Sequence, residues 1–180
     1  LLLNSDTLVH PEAIPRMISF MDDNEQVGIV GARLFYGDGS FQHSAFHFPN
    51  LWMTLFDFWP VHHKLLESRL NGRYPRSLYK RGQPFAIDHP LGAALMIRWD
   101  TLDEIGLLDP RFFMYCEEID WCIRAKAASW RVYCVPEAHV VHLGGQSSAQ
   151  FRDDMFVALW KSRYRLFRKH YSQRFRTLNR

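Results

Sequence analysis

The sequence predicts an α/β domain in which strands and helices alternate. Three observations carry this. Apolar stretches of strand length recur at residues 27–34, 89–98 and 131–135. Segments of helical period lie between and after them, at residues 12–21, 117–128 and 153–171. Turn signals such as Gly37-Asp38-Gly39 and Asp109-Pro110 separate the two kinds of segment. At 180 residues, 47% apolar and 15% aromatic, the chain has the hydrophobic mass for one core, and its composition is not that of a disordered segment.

In chain order, residues 1–3 read as a buried strand already under way, ended by the polar turn Asn4-Ser5-Asp6-Thr7. With no Met and no lead-in, the chain reads as an excised piece whose N-terminal part is missing. The helix over 12–21 begins near Pro11 and sets Ile14, Met17, Ile18 and Met21 on one face. Strand 27–34 contains Gly28 and Gly31. Residues 41–88 hold Phe41, Phe46, Phe48, Trp52, Phe56, Phe58 and Trp59, with His43, His47, His62 and His63 among them. This stretch reads as a long excursion, helical near 51–59 and otherwise loop.

Residues 89–98 read as one buried strand whose small side chains let something approach the backbone. A short helix over 99–105 is stopped by Gly106, and a second helix covers 117–128. Strands 131–135 and 140–143 are joined through Pro136-Glu137. The segment 153–171 is amphipathic, with Phe156, Leu159, Trp160, Tyr164, Phe167 and Tyr171 along its expected apolar stripe. The expected division is a main unit over 1–150 and a basic helical tail over 151–180.

The net charge of +3 is unevenly spread. Residues 1–151 carry 13 Lys and Arg against 17 Asp and Glu; residues 152–180 carry 9 against 2. An anionic partner, such as the surface of a membrane, would therefore meet the tail. The alternative is a capping helix with a solvated basic face. No reader motif for nucleic acid accompanies the charge. No apolar run reaches the roughly 18 residues that span a bilayer. Cys116, Cys122 and Cys134 lack metal-site spacing and read as free thiols of a reducing compartment. The expected location is the cytoplasm, at or near the inner face of the plasma membrane.

The candidate chemistry sits in three places. Glu117, Glu118 and Asp120 occupy the first turn of a helix, where the macrodipole favours carboxylates. They are either a capped, solvated helix start, with Asp120 pairing Arg124, or a base site. The apolar run Phe112-Phe113-Met114-Tyr115 ahead of them would raise a carboxyl pKa. Asp6, at the end of a strand, is either a turn residue or a ligand for a hard divalent cation. His142 ends a strand just before Gly144-Gly145, a loop able to lie close to phosphate oxygens, and His139 should point to the opposite face.

Taken in order, these segments resemble glycosyltransferase family 2, especially its bacterial rhamnosyltransferase-like members. The matching pieces are Leu2-Leu3-Asn4-Ser5-Asp6-Thr7, Val27-Gly28-Ile29-Val30-Gly31 and Leu91-Gly92-Ala93-Ala94-Leu95-Met96-Ile97-Arg98. Further matches are Ile105 through Tyr115, Glu117 through Arg124, Trp130-Arg131-Val132, Val135 through Ala138, and Val141 through Ser147. Together they cover a third to a half of the chain.

The resemblance implies a GT-A fold with a mixed sheet flanked by helices, here without the N-terminal nucleotide-binding strands. It also implies an inverting transfer from a nucleotide-diphosphate sugar to a saccharide or lipid-linked acceptor in cell-surface polysaccharide synthesis. Asp6 and His142 match the family's ligands for Mg²⁺ or Mn²⁺ on the donor diphosphate, so Asn4 and Asp6, together with the Gly144-Gly145 loop, are the expected diphosphate-binding residues. Glu118 matches the catalytic base, with Glu117 and Asp120 beside it. Three residues depart from the pattern: Asn4 replaces an acid, Glu118 stands where Asp is usual, and Ser129 replaces a helix-ending Gly. The isolated piece is expected to be inactive. The competing readings are a nucleotidyltransferase of similar fold and a non-catalytic fragment. A glycoside hydrolase would need its carboxylates about 5–10 Å apart across a cleft, which the adjacent Glu117 and Glu118 fit poorly.

Overall fold

The computed structural model describes residues 1–59, 61–144 and 152–178. Two short strands, β1 (Leu2–Leu3) and β2 (Thr7–Val9), flank the turn at 4–6. Helix α1 (Ala13–Asp22) leads into β3 (Val27–Phe35), followed by β4 (Phe41–Gln42) and β5 (Ala45–Phe46). Next come α2 (Leu51–Phe58), α3 (His63–Leu66), a 3-10 turn at Arg69–Asn71 and α4 (Arg76–Lys80). Strands β6 (Phe85–Ala86), β7 (His89–Pro90) and β8 (Ala94–Ile97) return to the main sheet and its border. The chain continues through α5 (Trp99–Ile105), α6 (Glu117–Ala127), β9 (Arg131–His142), α7 (Arg152–His170) and α8 (Gln173–Leu178).

The main sheet runs β1-β8-β3-β9-β2, with β4 added to β3 and β6 to β9. Its central pair, β3 and β9, is parallel, and the other pairs are antiparallel. The sheet is thus mixed and flanked by helices, as expected. Successive β3 side chains alternate between its faces. Val30, Ala32 and Leu34 pack with Ala13, Met17 and Met21 of α1. Ile29 packs on the other side with Trp121, Cys122 and Ala125 of α6 and with Tyr79 of α4. Both faces are covered, which is why β3 reads as a nearly unbroken apolar run. All three cysteines are buried free thiols.

Close packing fixes the β3 glycines. A Cβ on Gly31 would lie 2.3 Å from Cβ of Pro90. Gly31→Ala should therefore cost about 1–3 kcal/mol of stability in urea unfolding. A loss below about 0.5 kcal/mol would show that β7 can move aside at no cost.

Several elements differ from expectation. Residues 89–98 are two strands: β7 pairs with β5 in a separate sheet, the chain turns at Gly92-Ala93, and β8 enters the main sheet. Conversely, β9 is one strand through Pro136. The register against β3 jumps from Ala32↔Val135 to Arg33↔His139, so residues 136–138 form an irregularity that accommodates a residue with no N–H. Ile18 is exposed because α1 buries the i, i+4 row Ala13, Met17 and Met21.

On α7 the buried side chains are Ser162, Leu166 and Phe167, while Phe156 and Tyr164 are exposed. The docking stripe is set by Phe112, Cys116 and Ile119, against which Leu166 packs. Strand β1 is an edge strand with Leu1 and Leu3 exposed, not a buried one. Of the run 112–115, Phe112 is buried but Phe113 is 84% exposed. The 41–88 excursion is less loop-like than expected, with α3, α4 and short strands beyond the foreseen helix α2. Ser129 does adopt φ +70, the left-handed conformation that glycine favours. Among the described residues no helix is long and apolar enough to cross a membrane.

Candidate active site

Strand register brings the distant site residues together. In the β2–β9 pair Thr7 lies opposite His142, and the Leu143 N–H donates to the Asp6 carbonyl at 2.9 Å. On the other side Leu3 lies opposite Ala94, and the Asn4 N–H donates to the Ala93 carbonyl at 2.9 Å. The 4–6 turn is therefore tied at one end to the start of β8 and at the other to the end of β9. His142 is buried on the inner side, while His139 is exposed, as the strand alternation requires.

The imidazole of His142 is held from both sides. Its Nδ1 lies 3.2 Å from Oε1 of Gln42, within hydrogen-bond reach. Its Nε2 lies 3.4 Å from Oδ1 of Asp6 and 3.5 Å from Nδ2 of Asn4. Gln42 was not legible in the sequence, since it sits in a different strand a hundred residues away. Gly144 has φ +65, and a Cβ there would come within 3.7 Å of the Gln42 amide. Gly145 lies outside the described residues.

The opposite wall is the start of α6. Tyr115 and Cys116 both have φ near +66, an uncommon conformation for residues with a Cβ. This double left-handed turn ends the preceding segment and opens the helix with Glu117 and Glu118. Gly92 packs against Glu118: a Cβ there would stand 3.6 Å from the Glu118 Cγ and Cδ. The expected close approach to the 89–98 backbone is made by this side chain.

One pocket of about 470 Å³ gathers these groups. Asn4, Ser5, Asp6 and His142 line one part of it; Tyr115, Glu117 and Glu118 line another; Leu91–Ala93, Met114 and Met155 complete it. Tyr115, Gly92 and Met155 of α7 are lining residues that local sequence signals did not single out as such. Burial pushes the Glu118 carboxyl up to about 8, and the charge of Glu117 adds to the effect. The backbone N–H groups of Glu118 and Ile119 offset part of it. Burial also raises Glu117, whose Oε2 has no hydrogen-bond partner among the described residues.

Asp120 is placed differently. It is absent from the pocket lining and fully buried, and both its oxygens are engaged. Oδ2 accepts from Nε of Arg124 at 2.9 Å, the i, i+4 pair expected from the sequence. Oδ1 accepts from Nε2 of His170 and pairs with Nζ of Lys169, each at 2.6 Å. Burial alone would raise its carboxyl, but the bonds from His170, Lys169 and Arg124 outweigh that and bring it down to about 2. The aromatic side chains of α2 and of Trp59 just after it also stand outside the pocket lining: Trp52, Phe58 and Trp59 are exposed, and Phe58 packs at a tilt on Trp160 of α7.

The pocket suits a divalent cation of the Mg²⁺ or Mn²⁺ type. Two ligands bonded at about 2.1 Å to one ion lie no more than about 4.2 Å apart, and the Asp6 oxygen and His142 nitrogen satisfy that. The Gln42 contact on the far ring nitrogen is of the kind that would orient a ligating histidine. Among the described residues no cluster of three or more His, Cys, Asp and Glu side chains could hold a metal. Asp6 and His142 alone could offer a cation two ligands, so its remaining positions would fall to phosphate oxygens and water.

A family model described as "Glycosyltransferase like family 2" matches residues 1–172. The chain belongs to glycosyltransferase family 2. The match runs from β1 through α7 and stops before α8. Among curated proteins, the chain is similar to the N-acetylglucosaminyl-diphospho-decaprenol L-rhamnosyltransferase of Mycobacterium tuberculosis, with 26% identity over 174 residues. That alignment covers 91% of this chain and 53% of the relative, so the chain spans about half the length of that protein. It is also similar to rhamnosyltransferase WbbL of Escherichia coli, 30% identical over 79 residues, covering 44% of this chain and 30% of the relative. The low-salt glycan biosynthesis hexosyltransferase Agl10 of Haloferax volcanii is 45% identical over 40 residues, or 22% of this chain and 13% of that protein.

Proposed function

We propose that this domain activates the acceptor and holds the donor diphosphate in an inverting glycosyl transfer from a nucleotide-diphosphate sugar. The observation that carries the reading is the single pocket containing Asp6 and His142 on one part of its wall and Glu118 on another. The acceptor is a saccharide or a lipid-linked sugar, in keeping with the diphospho-decaprenol substrate in the name of the mycobacterial relative. The product belongs to cell-surface polysaccharide synthesis.

Asp6 and His142 would hold a Mg²⁺ or Mn²⁺ ion, which when bound would neutralise charge on the departing diphosphate. Asn4 and Gly144 border that region, Asn4 as a neutral donor and Gly144 as backbone with no side chain in the way. Glu118, with its carboxyl raised toward neutral pH, takes the proton from the acceptor hydroxyl as that oxygen attacks the anomeric carbon. The attack comes from the face opposite the leaving diphosphate, so one displacement inverts the centre. Glu117 keeps the base environment anionic, and Gly92 leaves room for the Glu118 side chain.

Asp6→Ala should abolish the Mn²⁺ dependence of turnover, and Gln42→Ala should weaken Mn²⁺ affinity about 10–100-fold. Paramagnetic resonance of Mn²⁺ in the presence of a nucleoside diphosphate reads the affinity without turnover. An unchanged metal titration in Asp6→Ala would remove that residue from the metal site. Release of nucleoside diphosphate from UDP- or dTDP-sugars supports transfer of sugar. Release of pyrophosphate from nucleoside triphosphates would establish a nucleotidyltransferase instead.

A further inference from the structure

A second cleft, of about 630 Å³, lies between the segment 110–113 and α7. Arg111 comes from the segment, while Arg165, Arg168 and Lys169 come from the helix. The three helix residues stand at i, i+3 and i+4, so they share one face. Only part of this charge is neutralised. The Asp109 carboxylate accepts from Arg111 at 2.9 Å and from Lys169 at 2.8 Å. Arg165 donates to the Arg111 carbonyl, and Arg168 lies over the Tyr164 ring. Neither arginine has a carboxylate partner among the described residues. Beside them Phe113 is 84% exposed, giving the cleft an apolar lip.

The cleft neighbours the candidate active site along the chain. Residues 110–113 line it, and the next residues of the same segment, Met114 and Tyr115, line the first pocket. Along α7, Met155 faces the first pocket, and Arg165 follows about 15 Å further on. Forked guanidinium groups on one helix face match phosphoryl oxygens, and an exposed phenyl ring suits an attached hydrocarbon.

We propose that this cleft binds the diphosphate of a lipid-linked acceptor, through Arg165 and Arg168, while the acceptor sugar reaches Glu118 in the first pocket. This rests on the glycosyl-transfer reading above. In the full-length enzyme, Arg165→Gln with Arg168→Gln should raise KM for a sugar carried on a prenyl diphosphate by about tenfold or more. KM for the same sugar on a neutral alkyl group, and slow donor hydrolysis without acceptor, should stay at wild-type values. Calorimetry with inorganic pyrophosphate and no divalent cation should show binding to the wild type and at least about tenfold weaker binding to the variant.

Equal losses on both acceptors, or pyrophosphate binding that the variant retains, would overturn the proposal. Sedimentation with phosphatidylcholine vesicles, with and without phosphatidylglycerol, separates the two sources of phosphate. Phosphatidylglycerol-dependent binding lost in the variant, alongside an unchanged acceptor KM, would assign the arginines to bilayer headgroups and overturn the acceptor site. An enzyme that transfers no sugar but binds pyrophosphate through these arginines would refute the transfer reading and uphold the anion cleft.

Discussion

Replacing Glu118 with Gln should lower turnover at least about a hundredfold while leaving donor affinity unchanged. The amide keeps the size of the side chain and its packing on Gly92, so the pocket keeps its shape. What it loses is the ability to take a proton. The same group predicts the pH profile. Its carboxyl is pushed up to about 8, first by burial and then by Glu117, so kcat/KM of the free enzyme should rise with pH through that region. Glu117→Gln removes the neighbouring charge and should move the limb to lower pH.

A stability signature separates a base from a merely packed residue. A carboxyl raised in the folded state favours folding below the unfolded value near 4.5, and that stability is lost as pH rises through 8. Glu118→Gln should therefore be less active and, at pH 8, more stable than wild type. Near-normal turnover in Glu118→Gln would remove this residue from the role.

Where the sequence was informative, the signal was local. The helix stop at Gly106 needed only a residue that tolerates positive φ, and Gly106 has φ +76. The acidic start of α6 and the buried run of β3 each declare themselves over about ten residues. The failures have a common cause. Pro136 reads as a strand end until β9 is seen to absorb it in a register shift against β3. The break at Gly92 exists because β7 finds a partner in β5, far from the pairing that recruits β8. Phe156 is as apolar as Leu166, and the position of Phe112 and Cys116 decides which stripe of α7 is buried. Asp6 and His142 were paired through a family resemblance, whereas Gln42, which orients the histidine, follows from the three-dimensional arrangement alone.

Asp120→Ala should destabilise the fold by about 3–5 kcal/mol, because it removes the fully buried anion on which Arg124, Lys169 and His170 converge. Arg124 would keep its bonds to the Ile105 and Leu107 carbonyls, which hold α6 to the end of α5, but with its charge uncompensated. Lys169 would still have Asp109. His170, whose bond to Asp120 ties α7 to α6, would have no acid partner among the described residues. The pH dependence follows from the lowered pKa. A carboxyl at about 2 when folded and about 3.9 when unfolded contributes stability that is present above the unfolded value and lost as pH falls toward 2. Wild type should weaken across that window in urea titrations, and Asp120→Ala should lack this component. A carboxylate acting on substrate would give the opposite pattern: large loss of turnover, little change in unfolding, and retained contact between α6 and α7. Finding that pattern would move Asp120 from the scaffold to the reaction. The full burial of Asp120 against Arg124, Lys169 and His170, with no face on the pocket, is what argues that unfolding rather than chemistry will register its loss.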